Sequence, residues 1–184
     1  MHRIGFSTGA VARGDYKYAL KVLRSEQVRV VELSALRVAE LGPLVGDLDN
    51  LDLSWFSSVS FHAPSRFDPV DECAIIEKLK VVTRKAIPIV VHPDTCYTDE
   101  LWTALGGSML IENMDKRKPI GRTAIELTSL FKRFPDAGFC FDIGHARQVD
   151  PTMTEAYRIL DRHAGRLKQV LRRSASSGSP RACR

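Results

Sequence analysis

No apolar run in this 184-residue chain approaches the roughly 20 residues that a membrane-spanning helix requires. The start, Met1-His2-Arg3, leads straight into strand-like sequence rather than into the apolar core of a signal peptide, so a cytoplasmic location is expected. Cysteine is sparse. Cys73, Cys96, Cys140 and Cys183 show neither zinc-knuckle nor paired-disulfide spacing, which leaves reduced thiols as the expectation. A glycine-rich phosphate loop is also missing: Gly106-Gly107 is an isolated turn before a strand, and Gly5 with Gly9 lacks the fingerprint spacing. Nor does the body carry an excess of positive charge. The formal net charge is +5, yet from residue 165 onward Arg166, Lys168, Arg172, Arg173, Arg181 and Arg184 contribute +6 with no Asp or Glu, leaving −1 for everything before. A basic surface is therefore a property of the tail, and a nucleic-acid partner is disfavoured.

What is present is an ordinary globular composition, 44% hydrophobic, with short apolar runs that recur at regular intervals. The runs Val59-Ser60-Phe61-His62, Ile89-Val90-Val91-His92, Met109-Leu110-Ile111-Glu112 and Phe139-Cys140-Phe141-Asp142 each end on a side chain able to bind a metal. Ile4-Gly5-Phe6-Ser7 and Val28-Arg29-Val30-Val31-Glu32-Leu33 fit the same frame, and residues 167–171 can begin a seventh strand.

Between the runs the apolar spacing turns helical. Residues 15–25 group Tyr16, Ala19, Leu20 and Leu23; residues 70–85 group Ala74, Ile75, Leu79 and Val82. Residues 98–105, 121–134 and 152–163 carry further helical patterns, and 36–51, interrupted by Gly42-Pro43 and Gly46, predicts a broken helix. Strictly alternating strands and helices imply an α/β fold, specifically an incomplete (β/α) TIM-type barrel of six to seven parallel strands over residues 1–171. Residues 172–184, rich in Ser and Arg and free of large apolar side chains, are expected to be a disordered tail. A full eight-stranded barrel takes about 250 residues, so this one would leave two strand edges open. A homo-oligomer that covers the opening is the expected remedy.

In a parallel barrel all strands open at their carboxyl ends on one face, so His62, His92, Glu112 and Asp142 should converge there. Buried carboxylates at the ends of apolar strands need a cation or several donors, and a mixed His/carboxylate set suits zinc or manganese better than calcium. Taken singly, Glu112 or Asp142 is as readily a salt-bridged strand end, and a lone histidine is more often structural. Their coincidence at four successive strand ends favours a shared divalent metal. In Asp142-Ile143-Gly144-His145, Gly144 predicts a sharp turn that returns His145 to the mouth. Glu32 and Asn113 are candidates for orienting ligands or contacting substrate, and Asp115 for a plain turn.

The histidines at the third and fourth strand ends, Ile111-Glu112-Asn113 at the fifth and Phe141-Asp142-Ile143-Gly144-His145 at the sixth resemble the xylose-isomerase-like barrel superfamily. That superfamily includes sugar and sugar-phosphate isomerases and epimerases and the apurinic endonucleases. The resemblance implies a metal held by Glu112 and Asp142 in an isomerase or epimerase acting on a small sugar-like substrate, with Glu112 as ligand and base and His62, His92 and His145 shaping the pocket. The seventh-strand His and eighth-strand Glu that would complete this set have no counterpart here, which implies an altered or shortened barrel of doubtful activity. The endonuclease branch implies a second subsite, matched by His62, His92 and Glu112. A phosphodiesterase and a non-catalytic oligomeric barrel fragment are the alternatives.

Overall fold

Apolar strands rich in Val, Ile and Phe alternate with amphipathic helices along the whole chain, and this alternation builds the molecule. The computed structural model describes residues 5–171; the tail over residues 172–184, with Cys183, lies outside the described residues. The order is β1 (Phe6–Ser7), α1 (Thr8–Ala12), α2 (Tyr16–Ser25), β2 (Val30–Ser34), α3 (Val38–Asp47), β3 (Ser58–His62), α4 (Glu72–Thr83), β4 (Ile89–Val91), α5 (Asp99–Thr103), β5 (Met109–Glu112), α6 (Ala124–Arg133), β6 (Gly138–Asp142), α7 (Ile143–Val149), α8 (Thr154–His163) and β7 (Leu167–Leu171). The seven strands pair in chain order and all in parallel. The result is the expected α/β fold, an open, incomplete TIM-type barrel with its helices outside. No helix among the described residues is long and apolar enough to cross a membrane.

Side chains alternate across the strands, and the two faces separate cleanly. Leu33, Phe61, Ile89, Val91, Met109, Ile111, Phe139 and Phe141 join the large core between sheet and helices. Val90, Leu110 and Cys140 form a second buried cluster on the opposite face, inside the barrel. The ligand-type residues fall on this inner parity, two positions beyond Ser60, Val90, Leu110 and Cys140.

Helix starts follow their caps. Asp15 accepts a hydrogen bond from Tyr18 N at 2.9 Å at the head of α2, and Thr123 accepts one from Glu126 N at 3.2 Å at the head of α6. The segment expected to be a broken helix is instead continuous through Pro43 in α3. Leu41 and Leu44 of this helix are completely buried, and packing them holds the helix across the one hydrogen bond that proline removes.

Among the described residues no strand pairs with the outer edge of β1 or of β7. A cavity of about 380 Å³ lies along this seam, with Glu32, Ser58, Ser60, Leu110, Lys168 and Gln169 among its walls. Gln169 Nε2 donates to Glu32 Oε2 at 3.0 Å, linking β7 to β2 across the seam.

Candidate metal centre

The inward parity of β3, β4, β5 and β6 brings His62, His92, Glu112 and Asp142 to one place at the carboxyl ends of the strands. The register is staggered: His62 faces Val90 and Glu112 faces Cys140, so His92 and Asp142 lie two residues beyond the partners of His62 and Glu112, and the tilt of barrel strands brings the staggered ends together. His62, Glu112 and Asp142 are fully buried, and His92 and His145 nearly so. Two overlapping sets of possible ligands result, His62–His92–Glu112 and Glu112–Asp142–His145, with the ligand atoms of each within 4.8 Å of one another. Glu112 belongs to both.

His145 arrives by a different route from the one its sequence suggests. Gly144 does not make a sharp turn; it lies within α7, whose N-cap is Asp142. Asp142 Oδ1 accepts from His145 N at 2.8 Å, so the helix starts immediately after the strand and its first turn carries the ring back over the site. A Cβ at position 144 would lie 3.1 Å from that same Oδ1, which makes glycine the residue that leaves the cap undisturbed. Asn113 locks the neighbouring strand ends together. Its Nδ2 donates to Asp142 O at 2.9 Å, its Oδ1 accepts from Asp142 N at 2.7 Å, and its carbonyl pairs with His145 Nδ1 at 3.0 Å.

The tautomer of His62 follows from its partners. His62 Nδ1 lies 2.8 Å from the carbonyl of Ala63, which can only accept, so Nδ1 carries the proton. Its Nε2 then faces Glu112 Oε2 at 3.2 Å. His92 Nε2 lies 3.2 Å from the same oxygen, and neither ring nitrogen of His92 completes a hydrogen bond among the described residues. With its proton on Nδ1, neutral His62 would turn the Nε2 lone pair on a buried carboxylate oxygen. Only a proton or a cation relieves that arrangement, and this donor set, two imidazoles and a carboxylate, fits a divalent ion such as zinc.

Charge in the cluster is correspondingly displaced. Burial alone would push Glu112 up, but the close approach of His145, His62 and His92 outweighs it and holds the carboxyl well below its usual range. Burial also works against the charged form of His62, yet Glu112 and the nearby charges of Glu32 and Glu112 raise its pKa. His145 is raised in the same way, against burial, by Glu112 and Asp142. Burial wins at His92, which is lowered.

Glu32 stands apart from both ligand sets. It pairs in register with Ser60, one inward layer below His62, and its influence on the cluster is through charge. Asp115 does form a turn, accepting from Arg117 N at 2.8 Å, but it is also buried and binds the Arg117 guanidinium. The basic stretch around Arg117 was not singled out by sequence reasoning; its run of Lys116-Arg117-Lys118 directly after a ligand strand was the available signal.

No protein-family model matches the sequence, and comparison with curated proteins gives no match. Solved structures do. Endonuclease IV from Thermus thermophilus superposes with a TM-score of 0.55 at 16% identity, over 92% of this chain and 75% of that one. MenC from Desulfotalea psychrophila superposes with a TM-score of 0.56 at 11% identity, over 95% of this chain and 46% of that one. The shared fold is the TIM-type barrel. Endonuclease IV has the xylose-isomerase-like version that the strand-end motifs resemble. At these identities the likeness is one of fold, and chemistry has to be argued from the cluster itself.

Proposed function

We propose that this protein is a divalent-metal-dependent enzyme of the isomerase or epimerase type, acting on a sugar-like substrate at the carboxyl mouth of its barrel. The observation that carries the metal dependence is the convergence of His62 Nε2 and His92 Nε2 on one oxygen of the buried Glu112, each at 3.2 Å. His62, His92 and Glu112 would hold one ion, and Glu112, Asp142 and His145 form the adjoining set. A bound cation at such a site supplies Lewis-acid polarisation of a carbonyl or hydroxyl oxygen.

The chain's own groups would do the remaining work. Glu112 Oε1 and His145 Nδ1, 3.1 Å apart, form a carboxylate–imidazole pair that can hold a proton beside the reacting carbon. Asn113 keeps both in place by tying β5 to the start of α7. Burial of the cluster keeps water from competing for that proton.

Elemental analysis of purified protein tests the first step, with Glu112→Gln as the control. A stoichiometric divalent metal in the wild type that is lost in the variant is expected; equal metal in both would refute the choice of ligand, and none in either would favour a non-catalytic barrel. Interconversion of ketose and aldose or of C3 epimers by the metal-loaded protein tests the second step. A phosphodiesterase is the second reading, favoured by the His62–His92–Glu112 set and by the fold likeness to endonuclease IV. Cleavage of abasic DNA without sugar turnover would establish it instead.

A further inference from the structure

The loop between β5 and α6, residues 113–123, crosses the rim of the candidate metal centre and carries Lys116, Arg117, Lys118 and Arg122. It is pinned rather than loose. Met114 N donates to Gly121 O at 2.8 Å, closing the loop on itself. Gly121 has φ 87°, and a Cβ there would lie 2.9 Å from Pro93 Cγ and 3.1 Å from Met114 Cγ, so glycine lets the loop press onto the residue that follows His92. Lys118 Nζ pairs with Asp94 Oδ2 at 2.7 Å and fastens the loop to the turn Pro93–Thr95. Asn113, the first residue of the loop, bonds Asp142 and His145, and Asp94, the partner of Lys118, lies two residues beyond His92, which sets the loop beside the ligands.

Arg117 is the unusual member. Its backbone N and its Nε donate to Asp115 Oδ1 at 2.8 and 3.1 Å, and Nη2 donates to Asp115 Oδ2 at 2.6 Å. Asp115 is only 2% exposed, yet the Arg117 side chain is 76% exposed. An ordinary surface ion pair joins two mobile side chains and contributes little. Here a buried carboxylate fixes an arginine that points outward, with Nη1 uncommitted among the described residues. Lys116 beside it is exposed and makes no ion pair among the described residues. Asp115, Asp94 and Glu126 pair with Arg117, Lys118 and Arg122, so the four cations of the loop leave one net positive charge. That balance suits a single anionic group and not a polyanion, for which an extended basic groove is needed.

We infer that Lys116 and Arg117 form a subsite for the phosphate group of a small phosphorylated substrate whose reacting carbon lies at the metal centre. The inference rests on the metal-dependent reading above and adds the substrate class. A held guanidinium loses little freedom on binding phosphate and offers its remaining N–H groups in the geometry phosphate accepts.

Inorganic phosphate is the probe. Calorimetric titration of the full chain, as purified and after treatment with a chelator, is compared for the wild type, Lys116→Glu and Arg117→Gln, with metal content measured on the same samples. Phosphate affinity is expected to fall about tenfold or more in each variant while metal content stays unchanged. Lys116→Glu touches no ion pair, so its result does not depend on the fold tolerating the loss of Arg117. Phosphate affinity unchanged in both variants, or no phosphate binding by the wild type, would overturn the subsite. A short DNA duplex that binds more tightly than phosphate, with steep salt dependence lost in both variants, would overturn the small-substrate assignment. A wild type that binds phosphate without holding metal, with that binding lost in both variants, would sink the metal reading and leave the subsite standing.

Discussion

The two sides of this barrel are built to different standards. Along β4, β5 and β6 the interior is filled by Val90, Leu110 and Cys140, all buried, and the ligand residues stand directly above them. On the seam side, from β7 round to β3, the inward face carries Ser58, Ser60, Glu32 and Gln169 beside a cavity of about 380 Å³, and Phe6 and Val170 are half exposed. Close packing restricts side-chain rotation, so the tight side is where convergent ligands can be held to a fraction of an ångström. The polar, open side supports hydrogen bonds such as Gln169 to Glu32 but can relax around a change.

Truncating the tight side should do the most damage. Leu110→Ala is expected to lose about 2–5 kcal/mol, because it removes the contacts with Val90 and Cys140 and enlarges the adjoining cavity that Leu110 also lines; urea unfolding reads this directly. Asn113→Ala comes next. It removes the contacts that align Asp142 with Glu112, and metal affinity measured by competition with a chromophoric chelator should weaken by about 10–100-fold. At the seam, Gln169→Ala should cost no more than about 1 kcal/mol and leave metal content as it was. A seam variant as damaging as Leu110→Ala would erase the distinction between the two sides.

Acidity sharpens the contrast, since the displaced pKa values of buried groups gather on the ligand side. In the metal-free protein His62 and His145 are raised above the ordinary histidine value of 6.5, so what they contribute is complete below that pH and is lost as pH climbs through their raised values. Glu112 is depressed below 4.5, so its contribution is present above that pH and lost as pH falls through its lowered value. Chelator-treated protein should accordingly be most stable between these two values and soften toward pH 8. Metal affinity should rise over the same interval, because the ion displaces the imidazole protons. Denaturation midpoints with and without chelator check both trends; metal-free protein that gains stability steadily from pH 6 to 8 would contradict the proton-sharing cluster.

Much of the site was legible from period and position. The alternation of strand parity carries His62, His92, Glu112 and Asp142 to one face wherever the strands are parallel and in order, and both conditions follow from the repeated strand–helix pattern. The route taken by His145 was not legible, because Gly144 serves a turn or the first turn of a helix equally well, and the choice depended on Asp142 acting as a cap. The continuity of α3 through Pro43 likewise depended on burying Leu41 and Leu44, an energy that local propensity does not contain. Arg117 escaped notice because a basic run beside a turn is ordinary until its carboxylate partner is seen to be buried.

From the sequence alone come the α/β class, the strand ends and the kinds of ligand they bear, since these depend on side-chain period and chemistry, which are local. Tertiary structure alone decided that Glu112 lies between three imidazoles, that Arg117 is held by Asp115, and that the seam is polar and the opposite wall is not. Those are relations between residues on different strands and loops, and only the packing of the folded chain sets such distances.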